Sequence, residues 1–245
     1  MLLLNHSITA PEDNIALDEA MLLEAERGGA GETVRFWESE EHFIVLGRAC
    51  DAFGECDLEA AARDGVKVIR RLSGGGTVLQ GPGCLNYSLV LSYESDPQYR
   101  TIRSSYGAVL RRISMALHSR GIAADIMPLS DMAVAGRKFS GNAQARKKKY
   151  FLHHGTLLYA FDIGRTGLYL KHPPAEPEYR KGRGHGEFIA NIPLSRVELE
   201  KAVKESFPVS GERGSTERTK ELAQKLVDGK YSRKEWNLHG KTHAV

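Results

Sequence analysis

Hydrophobic and polar positions along the chain follow two different periods, and the helical period is clearest near the amino terminus. Apolar residues between positions 15 and 25 recur at the three- and four-residue spacing of a helix face. Asp13 or Asn14 can cap this helix, which places Asp18 in its first turn. The glycine pair at positions 28–29 can end it. Further helices are predicted over about Asp57–Arg63, Ile102–His118, Ser195–Ser206 and Ser215–Val227.

Runs that are rich in β-branched and aromatic residues predict strands. The first of them are Thr33–Trp37, Phe43–Leu46, Val66–Leu72, Thr77–Leu79 and Asn86–Ser92. A meander is predicted over Asp131–Ala135, Arg137–Ala145 and Tyr150–Phe161, with turns at Ala135-Gly136 and Lys147–Lys149. Because strands and helices are interspersed without the regular alternation of a doubly wound sheet, we predict an α+β fold in which a mixed β-sheet is flanked by helices.

Composition indicates a globular protein and limits the cellular location and the partners that we expect. The 245 residues are 41% hydrophobic and 27% charged, which suits one large folded domain or two small ones. No apolar run approaches the roughly 18 residues of a membrane span, and the first six residues lack the basic stretch of a secretory signal. Three cysteines without a C-x-x-C pair argue against a disulfide framework and favour a reducing, cytoplasmic compartment. A net charge of +3 does not argue for nucleic acid, so we expect neither nucleic-acid nor membrane partners.

The strongest local signal is the run Arg70-Arg71-Leu72-Ser73-Gly74-Gly75-Gly76-Thr77. Three consecutive glycines expose backbone amides that can bind an anion, and they let a ligand lie against the main chain. Arg70, on the predicted strand just before the glycines, adds a bidentate donor for a carboxylate or a phosphate. A flexible turn between two strands is the alternative. The run is not a P-loop, because no G-K-[ST] follows, and it does not open a helix as a G-x-G-x-x-G does.

Three other segments carry candidate chemistry, and each has a structural alternative. Lys138 lies on a predicted strand beside small residues, from which its ammonium can reach a reacting phosphate or carbonyl, although such a lysine is usually a solvated charge. His153 and His154 point to opposite faces of a strand, so at most one easily faces a pocket. The basic loop over residues 178–185 either clamps phosphates or is a solvated loop.

The order of these motifs resembles the lipoate–protein ligase A family, which belongs to the biotin/lipoate ligase and lipoyl/octanoyl transferase superfamily. The resemblance covers nearly the whole chain, from the first helix to Lys230-Tyr231-Ser232-x-x-x-Trp236-Asn237. Four motifs carry it: the arginine–glycine run over residues 70–76, Gly-x-x-Asn-Tyr-Ser over 83–88, Gly-Arg-Lys-x-Ser-Gly-Asn-Ala-Gln over 136–144, and His-His-Gly-Thr-Leu-Leu over 153–158.

The resemblance implies an enzyme that forms an acyl-adenylate. Such ligases activate the carboxylate of lipoate with ATP and Mg²⁺ and pass the lipoyl group to a lysine of a lipoyl domain. The expected acceptors are of the 2-oxoacid dehydrogenase E2 or glycine-cleavage H-protein type. Lys138 resembles the lysine that contacts the reacting carbonyl and phosphate, and Asp131 resembles the aspartate near the magnesium and the adenylate. The resemblance also places around the substrate or adenylate Arg70, Ser73, Gly74, Gly75, Gly76, Asn86, a turn of Ser140, Gly141, Asn142 and Ala143, and His154, Gly155, Arg180 and Arg183.

Departures from the family pattern keep alternatives open. Cys84 stands where the family often has Asn, which allows a nucleophile, although a small buried cysteine is commoner. Octanoyltransferases of the superfamily take their acyl group from a carrier without ATP and use a cysteine near the lysine or on a later strand. No cysteine follows Cys84 in this sequence.

Three further matters stay open from the sequence. The chain stops just after Trp236-Asn237 and so resembles the catalytic domain alone, as a single domain over residues 1–245. The accessory part is then a separate chain, or the protein dispenses with it, or only the transfer half-reaction is efficient. A non-catalytic adapter is the alternative of another class, against which the intact Lys138 and the glycine run speak. Lipoate and octanoate both fit an apolar chain that ends in a carboxylate.

Overall fold

A computed structural model describes residues 1–6, 8–128 and 130–241. Its strands are β1 (Leu2–Leu4), β2 (Thr33–Trp37), β3 (Phe43–Leu46), β4 (Lys67–Arg70), β5 (Val78–Gln80), β6 (Cys84–Ser92), β7 (Asp125–Met127), β8 (Asp131–Val134), β9 (Arg137–Arg146), β10 (Tyr150–Leu158) and β11 (Gly211–Arg213). Its α-helices are α1 (Pro11–Glu26), α2 (Ala52–Glu55), α3 (Leu58–Arg63), α4 (Ile102–His118), α5 (Thr166–Tyr169), α6 (His185–Phe188), α7 (Arg196–Ser206), α8 (Glu217–Leu226) and α9 (Lys234–His239).

Shorter helical turns fill several connections between these elements. They are the 3₁₀ turns Pro97–Arg100, Ile163–Arg165 and Glu178–Arg180 and the π turn Val227–Tyr231.

Two β-sheets organise the described part of the chain. The larger sheet has the strand order β11-β1-β2-β6-β10-β9-β8-β7, and the smaller has the order β4-β3-β5. Both are mixed, because β1 pairs parallel with β2 and β11 whereas β6, β10 and β9 pair antiparallel, and β3 pairs parallel with β4 but antiparallel with β5. The predicted α+β fold with a mixed sheet and flanking helices is confirmed.

Strand alternation on β6 divides the core between the two faces of the larger sheet. Leu89 and Leu91 join the apolar cluster that α4 and α7 cover. Val90, between them, joins the cluster beneath α1 and α8 on the opposite face. Helices therefore cover both faces near the centre of the sheet, and the strands between them are held on both sides.

The first helix begins earlier than the sequence predicts, and this changes the setting of Asp18. Pro11 opens α1, with Ala10 as its cap residue, because proline's fixed φ suits the first helical position. Asp18 therefore lies in the middle of the helix rather than in its first turn, and it is buried. No helix among the described residues is both long enough and apolar enough to cross a membrane.

The predicted turn at Ser140–Ala143 is wrong, because these residues lie inside β9 and pair with β8 and β10. The strand predicted over residues 150–161 ends at Leu158, and the helix predicted over 215–227 spans 217–226. Sequence periodicity also missed the shortest elements, which include β7, β11, α2 and α9, since three to six residues are too few to show a period.

Candidate active site

A β-bulge between β8 and β9 directs Lys138 toward the site. Ala133 pairs with Lys138, whereas its neighbour Met132 pairs with Ser140, which leaves Phe139 as an extra residue on β9. Such a bulge re-aims the side chains beside it. Phe139 is fully buried in the core, and Lys138 is left partly accessible. The chain therefore presents the lysine without placing a charge in the core.

The ammonium of Lys138 is held by the carboxylate of Asp131. Lys138 Nζ lies 2.7 Å from Asp131 Oδ1, and the Tyr179 hydroxyl donates to the other carboxylate oxygen over 2.7 Å. Burial, together with Asp131, raises the pKa of Tyr179 well above its usual range, so Tyr179 keeps the proton that it donates. Gly141 leaves room for the lysine, because a Cβ there would lie 3.0 Å from both Cε and Nζ of Lys138.

Other residues of the protein bind the carbonyl groups of the glycine loop, Ser73–Thr77. Arg71 Nη2 donates to the carbonyls of Gly74 and Gly76 at 2.6 and 2.9 Å, and the thiol of Cys50 donates to the carbonyl of Gly75 at 3.3 Å. The amides of these glycines donate to no acceptor in the part of the chain that the structure describes. Free amides in such a loop form a concave site for an anion.

Arg71 is buried and still positively charged near neutral pH. Burial lowers the pKa of its guanidinium to about 10. Gly75 has a φ of +88°, a conformation that favours glycine, and a Cβ there would come within 2.8 Å of Arg71 Nη2. The middle glycine is therefore required both by the backbone conformation and by the space that Arg71 occupies.

A buried polar chain links the glycine loop to α1. Ser73 Oγ lies 2.6 Å from His154 Nε2, and His154 Nδ1 lies 4.0 Å from Asp18 Oδ2. Asp18 in turn pairs with Arg35 at 2.8 Å and accepts a hydrogen bond from Ser88 at 2.6 Å. Burial, and then the charge of Arg71, lowers the pKa of His154 to about 3, so the imidazole is neutral at physiological pH.

Two compartments meet where the small sheet faces the larger one. The first has a volume of about 130 Å³, and apolar side chains from α1, β2 and β3 (Ile15, Trp37 and Val45) form part of its wall. The second, about 340 Å³, extends beneath the 170–189 segment. Gly75, Gly76, Thr77, Val78, Ser130, Asp131, Lys138, Gly141 and Thr156 line both. Lys138 and the glycine loop therefore stand at the junction of the two compartments.

Most residues that the sequence singles out come together here. Lys138, Asp131, Gly75, Gly76 and Gly141 lie at the junction. The first compartment adds Asn86, Asn142, Ala143, His154 and Gly155, and the second adds Ser140 and Arg180. Ser73 and Gly74 lie behind these walls, where they contact His154 and Arg71.

The predicted placement of Arg70 against the pocket is wrong. Its neighbour Arg71, directly after β4, lines the first compartment, whereas Arg70 lines neither compartment. Because successive residues of an extended chain point to opposite sides, Arg70 points away from the pocket. Its guanidinium instead contacts main-chain carbonyls of the 47–50 loop and of α9. Arg183 also lies outside the pocket, with its guanidinium stacked on Phe188 and donating to the carbonyls of Gly136 and Tyr179.

Sequence reasoning did not select Arg71, Asp18 or Tyr179 as site residues. The tandem arginines gave a signal for Arg71, but the register of β3 against β4 decides which of the two faces the pocket. Asp18 was placed in the first predicted helix, yet its burial depends on where α1 begins. Tyr179 lies 48 residues from Asp131 along the chain, and no local pattern indicates their contact.

Comparison with known proteins identifies the family. A family model described as the lipoyl protein ligase A/B catalytic domain matches residues 10–203, most of the chain. The chain belongs to this family. The resemblance that the motifs suggested is thereby confirmed.

The relatives of this chain in the lipoyl ligase family are named either as ligases or as octanoyltransferases. “Probable lipoate-protein ligase A” from Mycoplasma pneumoniae is 31% identical over 167 residues, covering 66% of this chain and 48% of that protein. The match therefore spans about half the length of that ligase. “Octanoyltransferase LipM” from Carboxydothermus hydrogenoformans is 28% identical over 261 residues, covering 95% of this chain and 96% of that protein.

Solved structures share the fold over nearly the entire chain. A bipartite lipoate protein ligase from Thermoplasma acidophilum, described with its E2 lipoyl domain, gives a TM-score of 0.84 at 27% identity and covers 100% of this chain and 98% of its own. A lipoate-protein ligase A bound with ATP gives 0.83 at 26% identity, covering 98% and 99%. A Thermoplasma acidophilum protein with bound lipoic acid gives 0.81 at 26% identity, covering 97% and 98%.

At the junction of the two compartments, the fit to Mg²⁺ depends on the single carboxylate of Asp131. Mg²⁺ often binds through one or two protein carboxylates together with substrate phosphates. Asp131 supplies one carboxylate at the junction, and no group of three or more His, Cys, Asp or Glu that could hold a metal occurs in residues 1–6, 8–128 and 130–241. These residues therefore suit a magnesium ion that arrives with nucleotide phosphates, and they do not form a protein-only metal site.

Proposed function

We propose that the chain is a lipoate–protein ligase, which activates lipoate with ATP to lipoyl-AMP and transfers the lipoyl group to a lysine of a lipoyl domain. The observation that carries this proposal is the junction of two compartments at Lys138 and the free amides of the glycine loop. Relatives with bound ATP and with bound lipoic acid support it. The catalytic unit that we propose is one domain over residues 1–245.

The two compartments suit the two halves of an acyl-adenylate. The first is the smaller of the two, and the part of its wall around Ile15, Trp37 and Val45 is apolar, which suits an acyl chain. The second is larger and opens beneath a segment that carries Arg180, which suits the nucleotide. The carboxyl carbon and the α-phosphate would then meet at the junction, beside Lys138.

Joining two anions requires fixed positive charge and donors at the point of contact. In the first step a carboxylate oxygen attacks the α-phosphorus of ATP and pyrophosphate leaves. Lys138 and the free amides of the glycine loop stabilise the negative charge that gathers there. A magnesium ion held by Asp131 and the phosphates would supply further charge neutralisation.

In the second step the acceptor lysine is the nucleophile. Its neutral amine attacks the acyl carbonyl, AMP leaves, and the amine loses a proton as the amide forms. Lys138 stabilises the oxyanion of the tetrahedral intermediate and forms no covalent bond to the acyl group. Asp131 holds the lysine at the junction between turnovers.

Octanoyl or lipoyl transfer from a carrier protein without ATP is the second candidate, and the near-complete match to an octanoyltransferase favours it. A cysteine relay would need a reactive thiol at the junction. None of the three cysteines lines either compartment. Burial raises the pKa of both Cys56 and Cys84 to about 12, which disfavours the thiolate. We therefore prefer the ligase reaction.

The acceptors that we propose are lipoyl domains of the E2 or H-protein type. A relative described with its E2 lipoyl domain supports this choice. That relative is bipartite, so we also propose that a separate accessory subunit can assist the activation step. We propose that the protein acts in the cytoplasm.

Exchange of pyrophosphate into ATP tests the activation step directly. The purified chain, alone and with a candidate accessory subunit, should catalyse exchange that depends on lipoate. Absence of exchange in both mixtures, together with octanoyl transfer from an octanoyl carrier protein, would establish the second candidate instead.

A further inference from the structure

Arg70 is a buried arginine that binds main-chain carbonyls from two separate segments. Its Nη1 donates to the carbonyls of Gly47, Arg48 and Cys50 at 3.0, 3.1 and 2.7 Å. Its Nε and Nη2 donate to carbonyls of α9, those of Trp236 and Leu238, at 3.0 and 3.2 Å. Only 2% of the residue is exposed. One guanidinium therefore joins the 47–50 loop to the C-terminal helix.

The helix α9 also binds the main chain of Arg70. The amide of Arg70 donates to Asn237 Oδ1 at 3.0 Å, and its carbonyl accepts from Trp236 Nε1 at 2.7 Å. Asn237 Nδ2 is itself anchored on the carbonyl of Tyr231 at 2.7 Å. We call Arg70, Trp236 and Asn237 the C-terminal clamp. The side chain and the backbone of Arg70 are both fixed by these contacts, and the end of β4 is therefore fixed as well.

The 47–50 loop that the clamp holds lies directly against the glycine loop. The amide of Arg48 donates to the carbonyl of Ser73 at 2.8 Å, and Cys50 donates to the carbonyl of Gly75. A Cβ on Gly47 would lie 1.9 Å from that same carbonyl oxygen, which only glycine tolerates. Any shift of the 47–50 loop must therefore move the glycine loop.

Arg70 and Arg71 consequently hold the glycine loop from opposite sides. Arg71 binds its carbonyls from the pocket side, and Arg70 fixes the loop beneath it from the far side. We propose that the C-terminal clamp is a positioning device for the glycine loop, which sets the direction of its free amides and so the binding of the acyl-adenylate. No clamp residue touches the pocket, so Arg70 acts as a positioning residue. The kinetic part of this inference rests on the proposed function.

A conservative pair of variants separates positioning from stability. Trp236→Phe removes the indole hydrogen bond to the Arg70 carbonyl and keeps an aromatic ring in the core. Tyr99→Phe is the matched control, because Tyr99 is a buried aromatic residue whose hydroxyl accepts from Arg112 at 3.0 Å and which lies outside both compartments. Each change deletes one hydrogen bond of a buried aromatic side chain.

Two measurements on these variants test the inference. Hydrogen exchange of the Arg48 amide, which reports the contact between the two loops, should be about 3- to 10-fold faster in Trp236→Phe than in wild type and unchanged in Tyr99→Phe. The KM for lipoate in ATP-dependent activation should rise by about 3- to 10-fold in Trp236→Phe, with a smaller change in kcat. Asn237→Ala should change both quantities in the same direction.

Unchanged Arg48 exchange in folded Trp236→Phe and Asn237→Ala would overturn the inference, and so would equal KM changes in Trp236→Phe and Tyr99→Phe. The exchange measurement needs no catalytic activity. If wild type does not activate lipoate, the proposed function fails, and the exchange comparison still decides whether the clamp positions the loop.

Discussion

Lys138 is the residue on which the proposed chemistry depends most. Its ammonium lies at the junction of both compartments, 2.7 Å from Asp131. We expect Lys138→Ala to lower lipoyl transfer by roughly 10²- to 10³-fold, as is typical when a donor to a developing oxyanion is lost. Lys138→Arg should rescue poorly, because the planar guanidinium is shaped for two acceptors. Acylation of an acceptor domain under single-turnover conditions gives the rates.

Lys148 provides the control for this comparison. It is an exposed residue at the tip of the β9–β10 hairpin, where its backbone amide donates to Glu26. Lys148→Ala should leave the transfer rate nearly unchanged, or weaken acceptor binding in a salt-dependent way. Equal losses in the two variants would mean that a general basic surface, and not a catalytic position, is responsible.

Cys84 is expected to be dispensable for the reaction. It is 1% exposed, and burial raises the pKa of its thiol to about 12, so almost no thiolate exists at neutral pH. Cys84→Ser should keep most of the transfer activity from lipoyl-adenylate, as measured with the wild type alongside. An acyl thioester trapped on Cys84, or a folded but inactive serine variant, would support the transferase instead.

His153 should make stability depend on pH. Burial lowers the pKa of His153 to about 3 in the folded protein, whereas an unfolded histidine titrates near 6.5. Below about pH 6.5 the unfolded chain binds a proton that folded His153 does not, so stability falls as pH decreases toward 3. At pH 5 this residue should cost about 2 kcal/mol relative to pH 7.5.

Urea unfolding at pH 7.5 and pH 5 measures this dependence. The loss of stability between the two pH values should be about 2 kcal/mol smaller in His153→Gln than in wild type. An equal loss of stability in the two proteins would contradict this prediction, because it would show that folded His153 binds a proton at pH 5.

At the scale of elements, the packing of β10 against β9 and β6 depends on Gly155. A Cβ there would lie 1.9 Å from Asn142 Oδ1 and 3.0 Å from the ring of Tyr87. Asn142 accepts a hydrogen bond from Tyr87 and donates to the carbonyl of Ser130 at 2.8 Å. Gly155→Ala should therefore break this buried contact and cost about 2–3 kcal/mol of unfolding free energy.

Gly167→Ala is the matched substitution for Gly155→Ala. Gly167 is an exposed residue of α5 with no atom within 4 Å of an added Cβ, so alanine there should be neutral or slightly stabilising. Thermal or urea unfolding of the two variants gives the comparison. A Gly155→Ala protein as stable as Gly167→Ala would contradict the close packing of these strands.

The sequence predicted the elements that carry the site better than the directions of their side chains. The glycine run and Lys138 both stand where ligand chemistry is expected, because local residue types suffice to identify them. Which of Arg70 and Arg71 faces the pocket depends on the pairing of β4 with β3. The direction of the Lys138 side chain depends on the bulge in β9 opposite β8. Register and bulges depend on partner strands far along the chain, which a local pattern does not contain.

At the scale of the whole molecule, the fold class followed from the sequence but the layout of the two sheets did not. Periodic runs predicted the long strands and helices, whose apolar faces pack on both sides of the larger sheet. The order of the strands and the separate β4-β3-β5 sheet depend on tertiary contacts. The compartments lie between the two sheets, so their shape depends on how the sheets pack against each other.

The central claim is that the junction of the two compartments transfers an acyl group from an adenylate. The most direct measurement is the intact mass of a purified lipoyl domain after incubation with the chain and preformed lipoyl-adenylate, without ATP. The claim predicts a gain of one lipoyl group at the acceptor lysine, strongly reduced with Lys138→Ala. Acylation from an octanoyl carrier protein, with none from lipoyl-adenylate, would contradict it.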